Sequence, residues 1–96
     1  MAVAVQLDFP GATVEQYDQL INKMGFRPEG TSEPGCLFHW VTKTDGGIRV
    51  VDVWRRREQF EKFAEQKIGP FSQEVGIPGP PAIAFFEVHN YFTEPA

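Results

Sequence analysis

The chain has 96 residues, of which 42% are hydrophobic and 14% aromatic, and nine Lys and Arg against 13 Asp and Glu give it a formal charge of −4. That length makes one small domain, residues 1–96, and a chain of this size buries only about 60% of its unfolded surface, so a second copy is the expected cover for the aromatic load. The acidic balance offers no footprint for nucleic acid or an anionic membrane. Cys36 is alone, which excludes an intrachain disulfide and a thiolate metal cluster, and with no basic leader and no apolar run near about 18 residues the cytoplasm is the expected compartment.

Ala2–Phe9 alternates, with Val3, Val5, Leu7 and Phe9 on one side and Ala4, Gln6 and Asp8 on the other, as a half-buried strand does. Pro10-Gly11 ends it. Thr13 followed by Gln16 fits a capping box, and Val14, Tyr17, Leu20, Ile21 and Met24 then recur at helical spacing up to Gly25. Phe26–Gly35 is a loop rich in Pro, Gly and charge, either a lid or a surface connection.

Cys36–Thr44 and Gly47–Arg55 are β-rich runs around Asp45-Gly46, a strong hairpin signal. With those two residues as the turn, His39 faces Asp52, Leu37 faces Trp54 and Val41 faces Val50. A second helix is expected from about Arg57 to Ile68, with Phe60, Phe63, Ala64 and Ile68 as its apolar stripe. Gly69-Pro70 should interrupt it before a short turn ending at Gly76. After the stiff IPGPP linker comes a last strand, Ala82–Phe92.

The order β-α-β-β-α-β predicts an α+β, ferredoxin-like domain, with two helices on one face of a four-stranded antiparallel sheet. The helix-covered face is expected to hold Val3, Val5, Leu7, Phe38, Trp40, Val51, Val53, Phe86 and Val88. Ala4, Gln6, Leu37, His39, Val50, Asp52, Trp54, Phe85, Glu87 and His89 then fall on the other face. That second set is too apolar to lie bare in water. A second sheet related by twofold symmetry would cover it and enclose a cavity between the sheets.

The segment VVDVWRRREQFEKF, an acidic residue and Trp leading from a strand into an acidic-Phe helix, resembles the dimeric α+β barrel superfamily, which includes antibiotic-biosynthesis monooxygenase-like domains. FPG at the end of the first strand, LFHW, GGIRVVDVW, and IPGPP followed by VHN resemble a small bacterial subgroup of it. The resemblance spans nearly the whole chain and implies a homodimeric barrel. The superfamily holds cofactor-free oxygenases, haem-degrading enzymes, isomerases and proteins without known chemistry, so the fold alone does not select a reaction. Haem-degrading relatives use a His and a Trp on the second helix and just after it, and Arg57–Glu74 contains neither. Relatives also tend to cap that helix with Ser, where this chain has Arg56.

His39 with Asp52 forms the candidate catalytic pair. A carboxylate against an imidazole fixes its tautomer and stabilises the imidazolium formed when it takes a proton, as a general base requires. The competing reading is a cross-strand polar pair that specifies the dimer. Gln6, Trp54, Phe85, Glu87, His89 and Arg56 are candidate contacts for a small aromatic or polyketide-like ligand; packing and a solvated face are the alternatives for the aromatic residues and for Arg56. No metal and no cofactor is expected, since the His and carboxylate residues follow no ligand spacing. Two functions remain at this stage. One is a cofactor-independent monooxygenase-like enzyme, or an isomerase using the same proton abstraction; the other is a non-catalytic binding or structural dimer.

Overall fold

In the computed structural model, which describes residues 1–95, strand β1 (Val3–Pro10) runs inside a four-stranded sheet. It pairs antiparallel with β3 (Gly47–Trp54) on one side and β4 (Ala82–Glu87) on the other. β2 (Cys36–Thr44) extends the sheet beyond β3, for the order β2-β3-β1-β4. This is the ferredoxin-like arrangement that the element order predicts. β4 stops at Glu87, short of the expected Phe92, although Val88 N–H still donates to Ala2 O at 3.1 Å.

The hairpin closes at the predicted pair. Thr44 stands opposite Gly47, Val41 opposite Val50 and His39 opposite Asp52. The register departs from expectation at the start of β2, where a bulge lets Cys36, rather than Leu37, face Trp54. Neither Asp45 nor Gly46 takes a left-handed φ. The Gly46 carbonyl instead accepts from Gly11 N–H at 2.7 Å, which ties the hairpin tip to the chain leaving β1.

Helix α1 (Val14–Lys23) begins with the expected capping box: Thr13 Oγ1 accepts from Gln16 N–H at 3.1 Å, and Gln16 Oε1 accepts from Thr13 N–H at 3.0 Å. Such a cap contributes about 1 kcal/mol. The Gln16 amide also donates to Gly76 O at 3.0 Å, which fixes α1 beside the far end of the second helical segment. That segment is not broken at Gly69-Pro70. α2 (Arg57–Phe63) passes through a π-helical turn, Ala64–Ile68, into α3 (Gly69–Glu74). Pro70 has no N–H and its ring crowds the preceding carbonyls. The chain accommodates it by widening one turn, with Gly69 N–H reaching back to Ala64 O.

The face assignment is where the expected architecture needs correction. Residues opposite each other in a ladder share a face, and Val3, Val5 and Leu7 stand opposite Trp54, Asp52 and Val50. Hence His39, Val50, Asp52, Trp54 and Phe85 lie beneath the helices with Val5 and Leu7. Phe38, Trp40, Val51, Val53 and Phe86 lie on the uncovered face with Ala4 and Gln6. The burial agrees, since Trp54 and Val5 are fully buried while Phe38 is 56% and Phe86 54% exposed. Both faces of β3 are apolar, so its alternation could not say which face the helices cover. The aromatic stripe of α2 decides it. Phe60 and Phe63 clamp the Trp54 indole at centroid distances of 6.0 and 5.3 Å, and each such contact contributes about 0.5–1.5 kcal/mol beyond burial.

Gly47 and Gly46 provide a paired test of this hairpin. A Cβ at Gly47 would collide with the Phe9 carbonyl oxygen, whereas one at Gly46 meets nothing within 4 Å. Gly47→Ala should cost about 1–3 kcal/mol or more in urea unfolding, and Gly46→Ala should stay within about 0.5 kcal/mol of the parent. Equal midpoints for the two variants would contradict the register.

Candidate active site

The bulge in β2 and the ladder with β3 bring His39 and Asp52 side by side under α1. His39 Nδ1 and Asp52 Oδ1 are 2.5 Å apart, with the carboxyl 3% and the imidazole 30% exposed. The second carboxyl oxygen, Oδ2, accepts from the Trp54 indole N–H at 3.1 Å. Asp52 is therefore satisfied from both sides without water, as a buried polar group must be. Because Nδ1 donates to Asp52, His39 presents Nε2 as an acceptor. Tyr17 Oη meets that nitrogen. The two rings are almost parallel, 10° apart, with centroids separated by 5.8 Å.

The result is a chain of contacts, Tyr17–His39–Asp52–Trp54, running from the wall of a cavity into the core. Burial, helped by the charges of Asp52, Asp18 and Cys36, pushes the Tyr17 phenol up to about 12. It is thus a neutral donor at ordinary pH. Burial likewise pushes the Cys36 thiol up to about 11, and its Sγ rests 3.5 Å from Phe38 O. A thiol held protonated is a packing group, not a nucleophile.

Tyr17, His39 and Asp52 line a cavity of about 900 Å³ between the sheet and the helices of a single chain. The His39–Asp52 pair thus faces a space within one chain, on the helix-covered side, and not the face expected to meet a second sheet. Leu7, Leu20, Phe63 and Ile68 supply its apolar walls, and Met24 to Gly35 supply the outer side. The loop between α1 and β2 is thus part of the site. Three contacts hold it: Lys67 Nζ, on the π-helical turn, reaches Glu33 Oε1 at 2.8 Å; Arg55 N–H donates to Gly35 O at 2.9 Å; and Phe26 stacks near Phe63 at 6.3 Å.

The other residues expected at the site are dispersed. Trp54 lies behind Asp52 and does not reach the cavity. Phe85 packs edge-on against Phe60, with the Arg57 guanidinium 3.8 Å over its ring. Gln6 is on the opposite face of the sheet, where its amide donates to Asp8 Oδ2 at 3.3 Å. Glu87 ends β4 and His89 follows it, both exposed. Arg56 is exposed at the start of α2 and makes no side-chain cap. Among the described residues no three of His, Cys, Asp and Glu gather as a metal-binding group. No helix there is long and apolar enough to cross a membrane. Tyr17 is the member of the site that pattern reading misses, because it occupies the apolar stripe of α1. Its phenolic oxygen is the available signal, since a tyrosine turned toward a core needs a polar partner there.

No protein-family model matches the chain, and no curated protein matches it in sequence. Solved structures do. Rv0793 from Mycobacterium tuberculosis superposes with a TM-score of 0.67 at 17% identity, over 97% of this chain and 100% of that one. SnoaB from Streptomyces nogalater, a cofactor-independent oxygenase, gives 0.58 at 15% identity over 97% and 96%. The monooxygenase ActVA-Orf6 from Streptomyces coelicolor, solved with nanaomycin D, gives 0.52 at 20% identity over 98% and 92%. The chain shares the ferredoxin-like α+β fold of these proteins.

Proposed function

We propose that this protein is a cofactor-independent monooxygenase-like enzyme acting on a small aromatic or polyketide-like phenol bound in the intrachain cavity. The carrying observation is the hydrogen-bonded array Tyr17–His39–Asp52 set into a cavity wall beside the apolar side chains of Leu7, Leu20, Phe63 and Ile68. A substrate hydroxyl in contact with Tyr17 Oη passes its proton to that oxygen as the tyrosine's own proton moves to His39 Nε2. Asp52 stabilises the imidazolium that forms, and Trp54 keeps the carboxyl aligned. The substrate is left as a carbanion-like phenolate, which reacts with O2 at carbon. One oxygen atom stays as a quinone carbonyl and the other leaves as water. Two proteins of this fold, SnoaB and ActVA-Orf6, are oxygenases, which supports this use of the site.

The same proton transfer without oxygen is an isomerisation, and a cavity that only binds its ligand is the non-catalytic alternative. Oxygen uptake together with product analysis, on a panel of naphthols and anthrols, separates the three. Turnover with uptake is the expected result, and His39→Ala should lower it by about 10²–10⁴-fold, the usual contribution of a positioned general base. Unchanged turnover in that variant would sink the mechanism.

The uncovered sheet face, with Phe38, Trp40 and Phe86 44–56% exposed, supports a homodimer joined sheet to sheet. The reduced-state packing role of Cys36 fits work in the cytoplasm. Sedimentation should give a dimer for the parent and a monomer for Trp40→Glu; a monomeric parent would remove the dimer from the proposal.

Tyr17 also gives the site a signature at high pH. Its phenol sits above the ordinary value of 10.0, at about 12. The unfolded chain therefore releases this proton first, and the stability associated with the neutral phenol is present below pH 10 and lost as pH rises to about 12. Unfolding across that window should show the fall, and Tyr17→Phe should make it shallower. The slope that remains includes Cys36, whose thiol at about 11 adds its own loss above pH 9.

A further inference from the structure

Tyr17 combines features that proton transfer alone does not require. Its ring is 8% exposed, its hydroxyl is bonded to a nitrogen able to hold a proton, and that imidazole is backed by a buried carboxyl. Loss of an electron from a neutral phenol leaves a strongly acidic cation radical, costly wherever it is held away from water. Loss of a pre-ionised phenolate is closed off as well, because burial keeps the phenol neutral up to about pH 12. The path left open moves the proton and the electron together, and that path needs an acceptor already in hydrogen-bond contact. His39 Nε2 is that acceptor. The positive charge it gains is met by Asp52, which the Trp54 N–H holds in place at 3.1 Å.

We propose that Tyr17 is a redox-active residue that gives one electron to an oxidant of the peroxyl-radical class in the cavity while its phenolic proton passes to His39 Nε2. The O–H bond of Tyr17 breaks and an N–H bond forms on His39. The peroxyl radical gains the electron and becomes a peroxide anion; Tyr17 becomes a neutral phenoxyl radical beside an imidazolium. A substrate carbanion that gives one electron to O2 leaves superoxide and a carbon radical, and a second O2 adds to that radical to form the peroxyl radical. This activity therefore rests on the proposed oxygenase reading and extends it to one-electron chemistry. The electron transfer itself needs no substrate, so the two can fail separately.

The sequence allows a clean assignment, because Tyr17 and Tyr91 are its two tyrosines. The whole protein is mixed with hexachloroiridate(IV), a one-electron oxidant used here as the probe, and frozen for electron paramagnetic resonance. A phenoxyl signal is expected in the parent and in Tyr91→Phe, and its absence in Tyr17→Phe. In His39→Gln, whose amide accepts a hydrogen bond but not the proton, the yield should fall by about tenfold, the loss of roughly one charge-assisted hydrogen bond. Ring-deuterated tyrosine in the Tyr91→Phe protein should collapse the hyperfine pattern, which tests the assignment even where Tyr17→Phe folds poorly. A signal that survives Tyr17→Phe, an indolyl signal from tryptophan, an undiminished yield in His39→Gln, or a pattern blind to deuteration would each overturn the proposal.

Discussion

A carboxyl group buried on the helix side of the sheet sets the terms for this structure. Asp52 is 2% exposed on the central part of β3, where an apolar residue would be the cheaper occupant. Unpartnered, it would cost several kcal/mol. Two donors prevent that, one from the neighbouring strand and one from two residues along its own strand. Each donor is held in turn: His39 by Tyr17 from α1, and Trp54 by Phe60 and Phe63 from α2. The two helices are therefore fastened to the sheet through polar as well as apolar contacts, and the fastening point is also the chemical feature of the cavity.

Much of this was legible in the sequence, but unevenly. The capping box of α1, the Asp45-Gly46 turn and the His39–Asp52 pairing all follow from short-range chemistry, and each is found in place. The face of the sheet was not legible, because Val50, Asp52 and Trp54 are no more obviously core-forming than Val51 and Val53 on the reverse. Burial there depends on where the rings of α2 come to rest, which is a tertiary effect. The π-helical turn was hidden for a related reason: Gly69-Pro70 reads as a break unless the neighbouring packing holds the helix together through it. Tyr17 reads as one of the apolar side chains of α1, where helical periodicity correctly places its ring and says nothing of its oxygen.

The placement of the cavity within one chain alters how the fold likeness should be used. Shared architecture accounts for the sheet, the helices and the space between them, while the groups aimed into that space are particular to the sequence. Here the cavity wall carries a phenol, an imidazole and a carboxyl in series. A long loop and the π-helical turn meet across its outer side through Glu33 and Lys67, which keep about a quarter and a third of their side-chain surface in water. An exposed pair of this kind contributes only about 0–1 kcal/mol, which fixes the average position of the loop without locking it.

The strict alternation of β3 has an evolutionary consequence. Asp52 and Trp54 point beneath the helices, while Val51 and Val53 point the other way, so neighbouring codons serve opposite sides of one sheet. Substitutions that alter the bare side leave the cavity chemistry untouched so long as the backbone stays extended, and the reverse also holds. Descendants of such a chain can remodel the bare side while keeping the cavity wall, or remodel the cavity wall while keeping the bare side. An insertion of one residue inside β3 is the event that denies them both, because it trades the two sides at a stroke.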